Sequence, residues 1–97
     1  MSGPEARLRT KIVRALNDHG GFFFVVHQTQ YGQVGIADIL GVYHGVFFAL
    51  EVKRPGRIHT LTENQDRFLQ RVRKNGGKAA VVTTLDDAMN FVYGQIL

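Results

Sequence analysis

Apolar residues along the chain recur either at helical spacing or in short continuous runs. One helical stripe predicts a first helix, from Pro4 to about Gly20. Thr62 and Gln65 have the spacing of a capping box and predict a second helix, which ends at Gly76 and Gly77. A third helix is predicted after Thr84. The stripe of the first helix consists of Leu8, Ile12, Ala15 and Leu16.

The short apolar runs predict four strands. They cover residues 22–28, about 38–43, 46–53 and 78–84, and the first run is predicted to be buried. His44 and Gly45 form a tight turn between the second and third strands. The second helix connects the third strand to the fourth, which predicts a parallel crossover. We therefore expect one α/β domain over residues 1–97, with a small mixed four-stranded sheet (an antiparallel meander plus one parallel crossover) flanked by helices.

The predicted hairpin brings two carboxylates together. A two-residue turn pairs Tyr43 with Val46, which places Asp38 directly opposite Glu51. Opposed residues in an antiparallel pair share one face of the sheet, with Cβ atoms about 4.5–5.5 Å apart. Lys53 lies on that face too, because side chains alternate along a strand. Like charges in this position destabilise a sheet unless they are compensated, and Mg²⁺ compensates carboxylates well.

Two polar residues lie on the apolar stripes of helices. Glu5 precedes Leu8 by three residues, and Gln65 precedes Phe68 by three. Each has an ordinary alternative role, because a carboxylate is stabilised in the first turn of a helix and Gln65 can complete the capping box. Asp38 is also a common turn residue, and Glu51 with Lys53 can form a solvent-facing ion pair.

The composition favours a polyanionic partner. Twelve Lys and Arg against eight Asp and Glu give a net charge of +4 and a pI near 9.9. The absence of cysteine excludes disulfides, thiolate zinc sites and cysteine nucleophiles. The longest apolar runs are too short to span a bilayer, and we find no export leader. We expect a cytoplasmic protein that binds no membrane.

Basic residues offer contacts for a phosphate backbone. Arg54 and Arg57 lie in the loop after the third strand, beside the predicted carboxylate pair, and are the stronger candidates. Two helical stripes are further candidates, although a stripe of this kind is more often a solvated face. The first stripe consists of Arg7, Lys11 and Arg14, and the second of Arg67, Arg71 and Lys74.

Three segments together resemble a known family. They are "GIAD" at residues 35–38, "LEVK" at 50–53 and the stretch from "LTENQ" at 61–65 to "LDDAM" at 85–89. In this order they resemble the virus-type replication-repair nuclease domain (VRR-NUC), a branch of the PD-(D/E)xK nucleases, over nearly the whole chain. Ala37 stands where the superfamily motif has Pro, a position without a chemical role. The resemblance implies a restriction-endonuclease-like fold.

The resemblance also implies roles for individual residues. Asp38 and Glu51 would ligate Mg²⁺ or Mn²⁺ together with the Val52 carbonyl, and Glu5 would reach the metal directly or through water. Lys53 would activate the attacking water and stabilise charge on the scissile phosphate. Gln65 would support the arrangement of these residues.

These roles imply a metal-dependent DNA endonuclease. The family's compact members resemble phage junction resolvases, so we expect a four-way (Holliday) junction as substrate, a homodimer, and a bacterial or phage-infected host cell. The first strand, or the last helix with Phe91, Val92 and Ile96, would provide the dimer interface. A flap or duplex nuclease would keep the same residues, whereas a non-catalytic nucleic-acid-binding module would need neither metal nor Lys53.

Overall fold

The computed structural model describes residues 3–27 and 34–94, and that part of the chain contains three α-helices and four strands. A turn of 3-10 helix, Ile58–Thr60, interrupts the loop after the third strand. The predicted strand residue Gln28 and the predicted interface residue Ile96 lie outside the described residues. In chain order the elements are α1 (Pro4–Asp18), β1 (Phe22–Val25), β2 (Ile39–Tyr43), β3 (Val46–Val52), α2 (Glu63–Lys74), β4 (Lys78–Val82) and α3 (Leu85–Gly94).

The four strands form one mixed sheet in the order β1-β2-β3-β4. The first three strands are antiparallel, and β4 is parallel to β3, so the predicted fold class is confirmed. The β2–β3 register is also the predicted one, because Tyr43 pairs with Val46. His44 and Gly45 both have positive φ, 50° and 77°, which is the backbone of a tight hairpin turn.

Helices cover the sheet from both sides and create two cores. On one side, α1 and α3 pack together over the sheet and enclose the larger core. On the other side, α2 packs mainly against β3 and β4 over a smaller core of Ala37, Ala49, Leu69 and Ala79. The larger core consists of Ile12, Leu16, Phe23, Ile39, Phe48, Leu50, Val52, Val82, Ala88 and Val92. Residues 48–52 of β3 are therefore buried on both faces.

The predicted helix caps are present. The Thr62 side chain accepts a hydrogen bond from Gln65 N–H at 3.1 Å, and Gln65 Oε1 accepts from Thr62 N–H at 2.9 Å. This capping box begins α2. The Asp87 N–H donates to the Thr84 hydroxyl at 3.0 Å and secures the first turn of α3.

The first strand is shorter and more exposed than predicted. It ends at Val25, and only its middle residue, Phe23, faces the larger core. The flanking rings of Phe22 and Phe24 are 68% and 48% exposed, so the prediction of a fully buried strand is wrong. The rings are exposed because α2 packs over β3 and β4, which leaves this face of β1 uncovered.

A side chain of α1 occupies the outer edge of β1. Asn17 Oδ1 accepts a hydrogen bond from Phe23 N–H at 2.8 Å, and Asn17 Nδ2 donates to the Phe23 carbonyl at 3.0 Å. The amide therefore binds both outward backbone groups of Phe23 as a neighbouring strand would.

Among the described residues, no helix is long and apolar enough to cross a bilayer.

Candidate active site

Asp38 and Glu51 face each other at the end of the β2–β3 hairpin. Asp38 immediately precedes β2, and continuing the register by one pair beyond Ile39 and Leu50 places it opposite Glu51, as predicted. The Asp38 N–H donates to Glu51 Oε1 at 3.2 Å, and the Val52 N–H donates to Asp38 Oδ2 at 2.8 Å. Backbone groups of both strands thus hold the two carboxyl groups on one side of the sheet.

The environment of Glu51 disfavours its charged form. The side chain is only 2% exposed, and burial is the main cause that raises its pKa to about 8. The negative charge of Asp38 and a hydrogen bond between the two carboxyl groups raise the pKa further, whereas the Lys53 ammonium lowers it. In the absence of another cation, the pair therefore retains a proton at neutral pH.

Lys53 lies beside the pair on the same face of the sheet. Its Nζ is 3.8 Å from Glu51 Oε2, and its side chain is only 12% exposed. The Lys53 N–H donates to the Val82 carbonyl at 3.0 Å, which fixes the strand end against β4. The ammonium group is thus held near the carboxylates by both the backbone and the ion pair.

Arg9 approaches the pair from the other side, and the sequence reasoning missed it. Its Nη1 is 3.8 Å from Asp38 Oδ1. Arg9 follows Glu5 by four residues, so both side chains lie on the same face of α1; this spacing indicates the shared face but not the contact with Asp38. The two acids are thus flanked by two basic side chains, in the order Arg9, Asp38, Glu51 and Lys53.

Glu5 and Gln65 have local partners. Glu5 Oε2 accepts a hydrogen bond from the Arg54 N–H at 3.2 Å and so ties α1 to the loop after β3. Gln65 Oε1 accepts from Thr62 N–H in the capping box. Within residues 3–27 and 34–94, no group of three or more His, Asp or Glu side chains is arranged to hold a metal ion. Glu5 is therefore not gathered with Asp38 and Glu51 into such a group.

A basic cleft of about 520 Å³ adjoins the carboxylate pair. One wall is the first part of α1, including Glu5 and Arg9, and the other is the loop that carries Arg54 and Arg57. These arginines share the cleft with Arg9, whose Nη1 is 3.8 Å from Asp38 Oδ1. The predicted basic stripe of α1 is exposed on a different face of the helix from Glu5 and Arg9; it consists of Arg7, Lys11 and Arg14.

The donor set suits a hard divalent cation bound by few protein ligands. Mg²⁺ commonly binds through one or two carboxylates and keeps waters and substrate phosphate oxygens in its other positions. Asp38 and Glu51 are the two carboxylates, and a cation between them would offset the repulsion that raises the pKa of Glu51. The N–H and C=O of a strand residue point to the same side, so the Val52 carbonyl is directed toward Asp38.

Comparisons with known proteins identify the fold. No family model matches the chain, and no curated protein matches it either. A solved structure described as "VRR_NUC domain" superposes with a TM-score of 0.75 at 22% identity, covering 95% of this chain and 97% of the other. A second, "VRR_NUC domain protein", gives a TM-score of 0.72 at 16% identity, covering 96% and 88% of the two chains. The chain therefore has the fold of VRR-NUC domains.

Proposed function

We propose that this protein is a metal-dependent DNA endonuclease that cleaves four-way junctions. The observation that carries this proposal is the opposed pair of Asp38 and Glu51 with Lys53 beside it. Two acids and an ammonium at the end of paired strands supply what phosphodiester hydrolysis requires, namely a site for a hard cation and a positive charge near the phosphate. The VRR-NUC fold supports the same reaction class.

Asp38 and Glu51 would hold Mg²⁺ or Mn²⁺, together with the Val52 carbonyl. When bound, this cofactor supplies a Lewis acid for a phosphoryl oxygen and lowers the pKa of bound water. Loss of the retained proton from the Asp38–Glu51 pair would accompany binding, because the ligands must be ionised.

Lys53 would act on the water and on the phosphate. Its ammonium is nearly buried and directed at Glu51 Oε2, so it is close to any ligand that Glu51 holds. From this position it would orient the attacking water and stabilise the charge that develops on the scissile phosphate. Such a role requires an amine of fixed position, which the low exposure of Lys53 supports.

Glu5 and Gln65 would support the site from outside the carboxylate pair. Glu5 anchors the loop that carries Arg54, and a contact to the metal would run through water. Gln65 fixes the start of α2, and in the proposal it also supports the arrangement of Asp38, Glu51 and Lys53. Neither role requires that the side chain be a direct metal ligand.

The substrate proposed is DNA, bound through its phosphates. Arg54 and Arg57 line the cleft beside the carboxylates and would contact the backbone near the cut. The exposed stripe of α1 would contact phosphates farther away; it consists of Arg7, Lys11 and Arg14. The net charge of +4 supports binding of this kind. The proposed setting is the cytoplasm of a bacterium or of a phage-infected cell.

A four-way junction has two symmetric strands to cut, so the proposal includes a homodimer. The sheet face that α2 leaves uncovered supports a second copy as the occupant. Phe22 pairs with Val42 and Val42 with Phe47, and the three side chains form an apolar row that is 68%, 37% and 44% exposed. Phe24 extends this row, with its ring centroid 6.4 Å from that of Phe22. A self-complementary apolar row of this kind suits an isologous interface.

A cleavage assay tests the proposal. Labelled four-way junction, flap and linear duplex of matched sequence are incubated with the protein, with Mg²⁺, with Mn²⁺ or with chelator. We expect paired incisions in the junction that require metal and disappear in Glu51→Ala. Glu63→Gln is the matched control, because the Glu63 side chain is 92% exposed and pairs only within its own helix turn with Arg67.

The outcomes separate the alternatives. If the protein cuts flap or duplex preferentially, that DNA is the substrate instead of the junction, and the proposed chemistry is unchanged. Junction binding without incision under either metal would favour a non-catalytic binding module. Cleavage by Glu51→Ala at the wild-type rate would show that the carboxylate pair is not required for the reaction.

A further inference from the structure

Arg9 is held at the carboxylate pair by charge alone. The separation of 3.8 Å between Nη1 and Asp38 Oδ1 is within ion-pair range but too long for a hydrogen bond. The other carboxylate oxygen, Oδ2, already accepts the Val52 N–H. The guanidinium therefore faces the Asp38 oxygen that the Val52 N–H does not bind, and no hydrogen bond to Asp38 fixes it there.

A cation bound by Asp38 would weaken this ion pair. A metal held by Asp38 would compete with Arg9 for the negative charge of this carboxylate, and the two positive charges would repel each other. The Arg9 side chain is 28% exposed and lines the basic cleft, so space for a different position is available beside Asp38. A negatively charged group in the cleft would be the natural new partner.

We propose that Arg9 binds the non-bridging oxygens of the scissile phosphate, moving from Asp38 to the substrate when the carboxylate binds metal. This inference rests on the proposed function and adds a phosphate-binding residue to it. The planar guanidinium can donate two parallel hydrogen bonds to a phosphate, which an ammonium cannot do. Lys53 then acts on the Glu51 side of the phosphate and Arg9 on the Asp38 side.

The two walls of the cleft indicate the path that the DNA strand would take. Arg9 projects from α1, whereas Arg54 and Arg57 project from the opposite wall. The hydrogen bond from Arg54 N–H to Glu5 Oε2 joins the two walls and limits how far they can separate. The cleft volume of about 520 Å³ is in the range of about 300–1,000 Å³ found for ligand sites. The strand backbone would pass between the walls, with its reacting phosphate beside Asp38.

Three variants test the inference. Arg9→Gln removes the charge, Arg9→Lys keeps the charge but loses the paired donors, and Lys78→Gln is the control. Lys78 is exposed at the start of β4, whereas the Lys53 N–H contacts Val82 at the other end of that strand, so this variant removes one positive charge away from the cleft. Each protein is measured for Mn²⁺ affinity by calorimetry without DNA, for junction affinity with Ca²⁺, for kcat and KM with Mg²⁺, and for thermal unfolding.

We expect Arg9→Gln to change metal binding and phosphate binding in opposite directions. Arg9→Gln should bind Mn²⁺ roughly two- to tenfold more tightly, because a competing positive charge is gone. The same variant should lose about 10²–10³-fold in kcat, the usual effect of removing one donor to transition-state charge. Its junction affinity with Ca²⁺ should fall about tenfold, because one charged contact is lost. Arg9→Lys should recover junction affinity more than kcat, and Lys78→Gln should match the wild type.

Other results overturn the inference. If Arg9→Gln weakens Mn²⁺ and junction binding together with a lower unfolding temperature, Arg9 is a structural residue. If its kcat and junction affinity equal those of the wild type, Arg9 does not touch the phosphate, although Glu51→Ala still tests the endonuclease proposal separately. If the wild type cuts no DNA, the Mn²⁺ and junction affinities of Arg9→Gln decide the inference by themselves.

Discussion

The backbone N–H of Asp38 donates a hydrogen bond to Glu51 Oε1 at 3.2 Å, so the two acids are joined by structure as well as by charge. The Val52 N–H returns a hydrogen bond to Asp38 Oδ2 at 2.8 Å. These two contacts keep the carboxyl groups close together in the fold, although the negative charge of Asp38 disfavours the ionised form of Glu51. The strand pairing of β2 and β3 thus maintains an arrangement that disfavours the charged form of Glu51.

Glu51 should make the metal-free protein less stable as the pH rises. Its pKa is 4.5 in an exposed chain and about 8 in the folded protein, so the folded state binds more protons between these pH values. The free energy of unfolding therefore decreases with rising pH across this window and levels off above pH 8. We expect a total loss of the order of a few kcal/mol, measured by denaturant unfolding from pH 4.5 to 9 with chelator present.

Glu51→Gln provides the matched comparison, because it keeps the shape and loses the titration. Its unfolding free energy should vary much less across the same window and should exceed that of the wild type at pH 8. Mg²⁺ at pH 8 should raise the unfolding temperature of the wild type and leave that of Glu51→Gln nearly unchanged. An identical pH slope in both proteins would show that Glu51 is not the group responsible.

Lys53→Met should separate catalysis from binding. The methionine preserves most of the buried volume but removes the ammonium that lies 3.8 Å from Glu51 Oε2. We expect kcat on a four-way junction to fall about 10²–10³-fold, since a charge near the transition state is lost. Junction affinity measured with Ca²⁺ should change less than tenfold. A lower junction affinity with an unchanged kcat would assign Lys53 to substrate binding alone.

The carboxylate pair could be predicted from sequence because one local feature determines it. A two-residue turn at His44 and Gly45 fixes the register of the hairpin, and the register places Asp38 opposite Glu51. Alternation along the strand then brings Lys53 to the same side. Each step depends on short-range geometry, which the order of residues specifies.

Arg9 and the exposed rings of β1 required the tertiary structure. The spacing of Arg9 from Glu5 indicates a shared helix face, but the docking of α1 on the sheet decides whether its long side chain reaches Asp38. The exposure of Phe22 depends similarly on where α2 crosses, and α2 covers β3 and β4 instead of β1. A continuous apolar run predicts a strand without revealing which of its faces a distant helix will cover.

Gln65→Glu should distinguish capping from a role in the site. Glutamate retains the side-chain oxygen that accepts the Thr62 N–H, so the capping box and the stability of α2 should be preserved. If Gln65 supports the site as proposed, cleavage should still fall about tenfold or more, because the added negative charge would disturb the arrangement that Gln65 supports. Thermal unfolding and junction cleavage are measured on the same samples.

Gln65→Ala completes this comparison. It should lower the free energy of unfolding by about 1 kcal/mol, because the capping hydrogen bond to Thr62 N–H is lost. Wild-type cleavage by Gln65→Glu, combined with lower stability of Gln65→Ala, would reduce the role of Gln65 to helix capping.

The exposed apolar row should mediate dimer formation through the face of the sheet and not through its edge. Asn17 already binds the outward N–H and C=O of Phe23, so a second copy would have to displace it to extend the sheet at β1. The face offers Phe22, Val42 and Phe47 without such a cost. We therefore expect Phe22→Ser combined with Phe47→Ser to convert a dimer into a monomer in sedimentation velocity.

The double variant should also change the pattern of cleavage. A monomer has one active site, so it should nick a four-way junction once and no longer make paired incisions within one binding event. Ile58→Ser is the control, because Ile58 is 54% exposed and lies in the loop between β3 and α2, off the sheet. A variant that stays dimeric and keeps paired incisions would exclude this face as the interface. A dimer that dissociates only on Asn17→Ala would point to the β1 edge, because the partner must then contact the side chain that covers it.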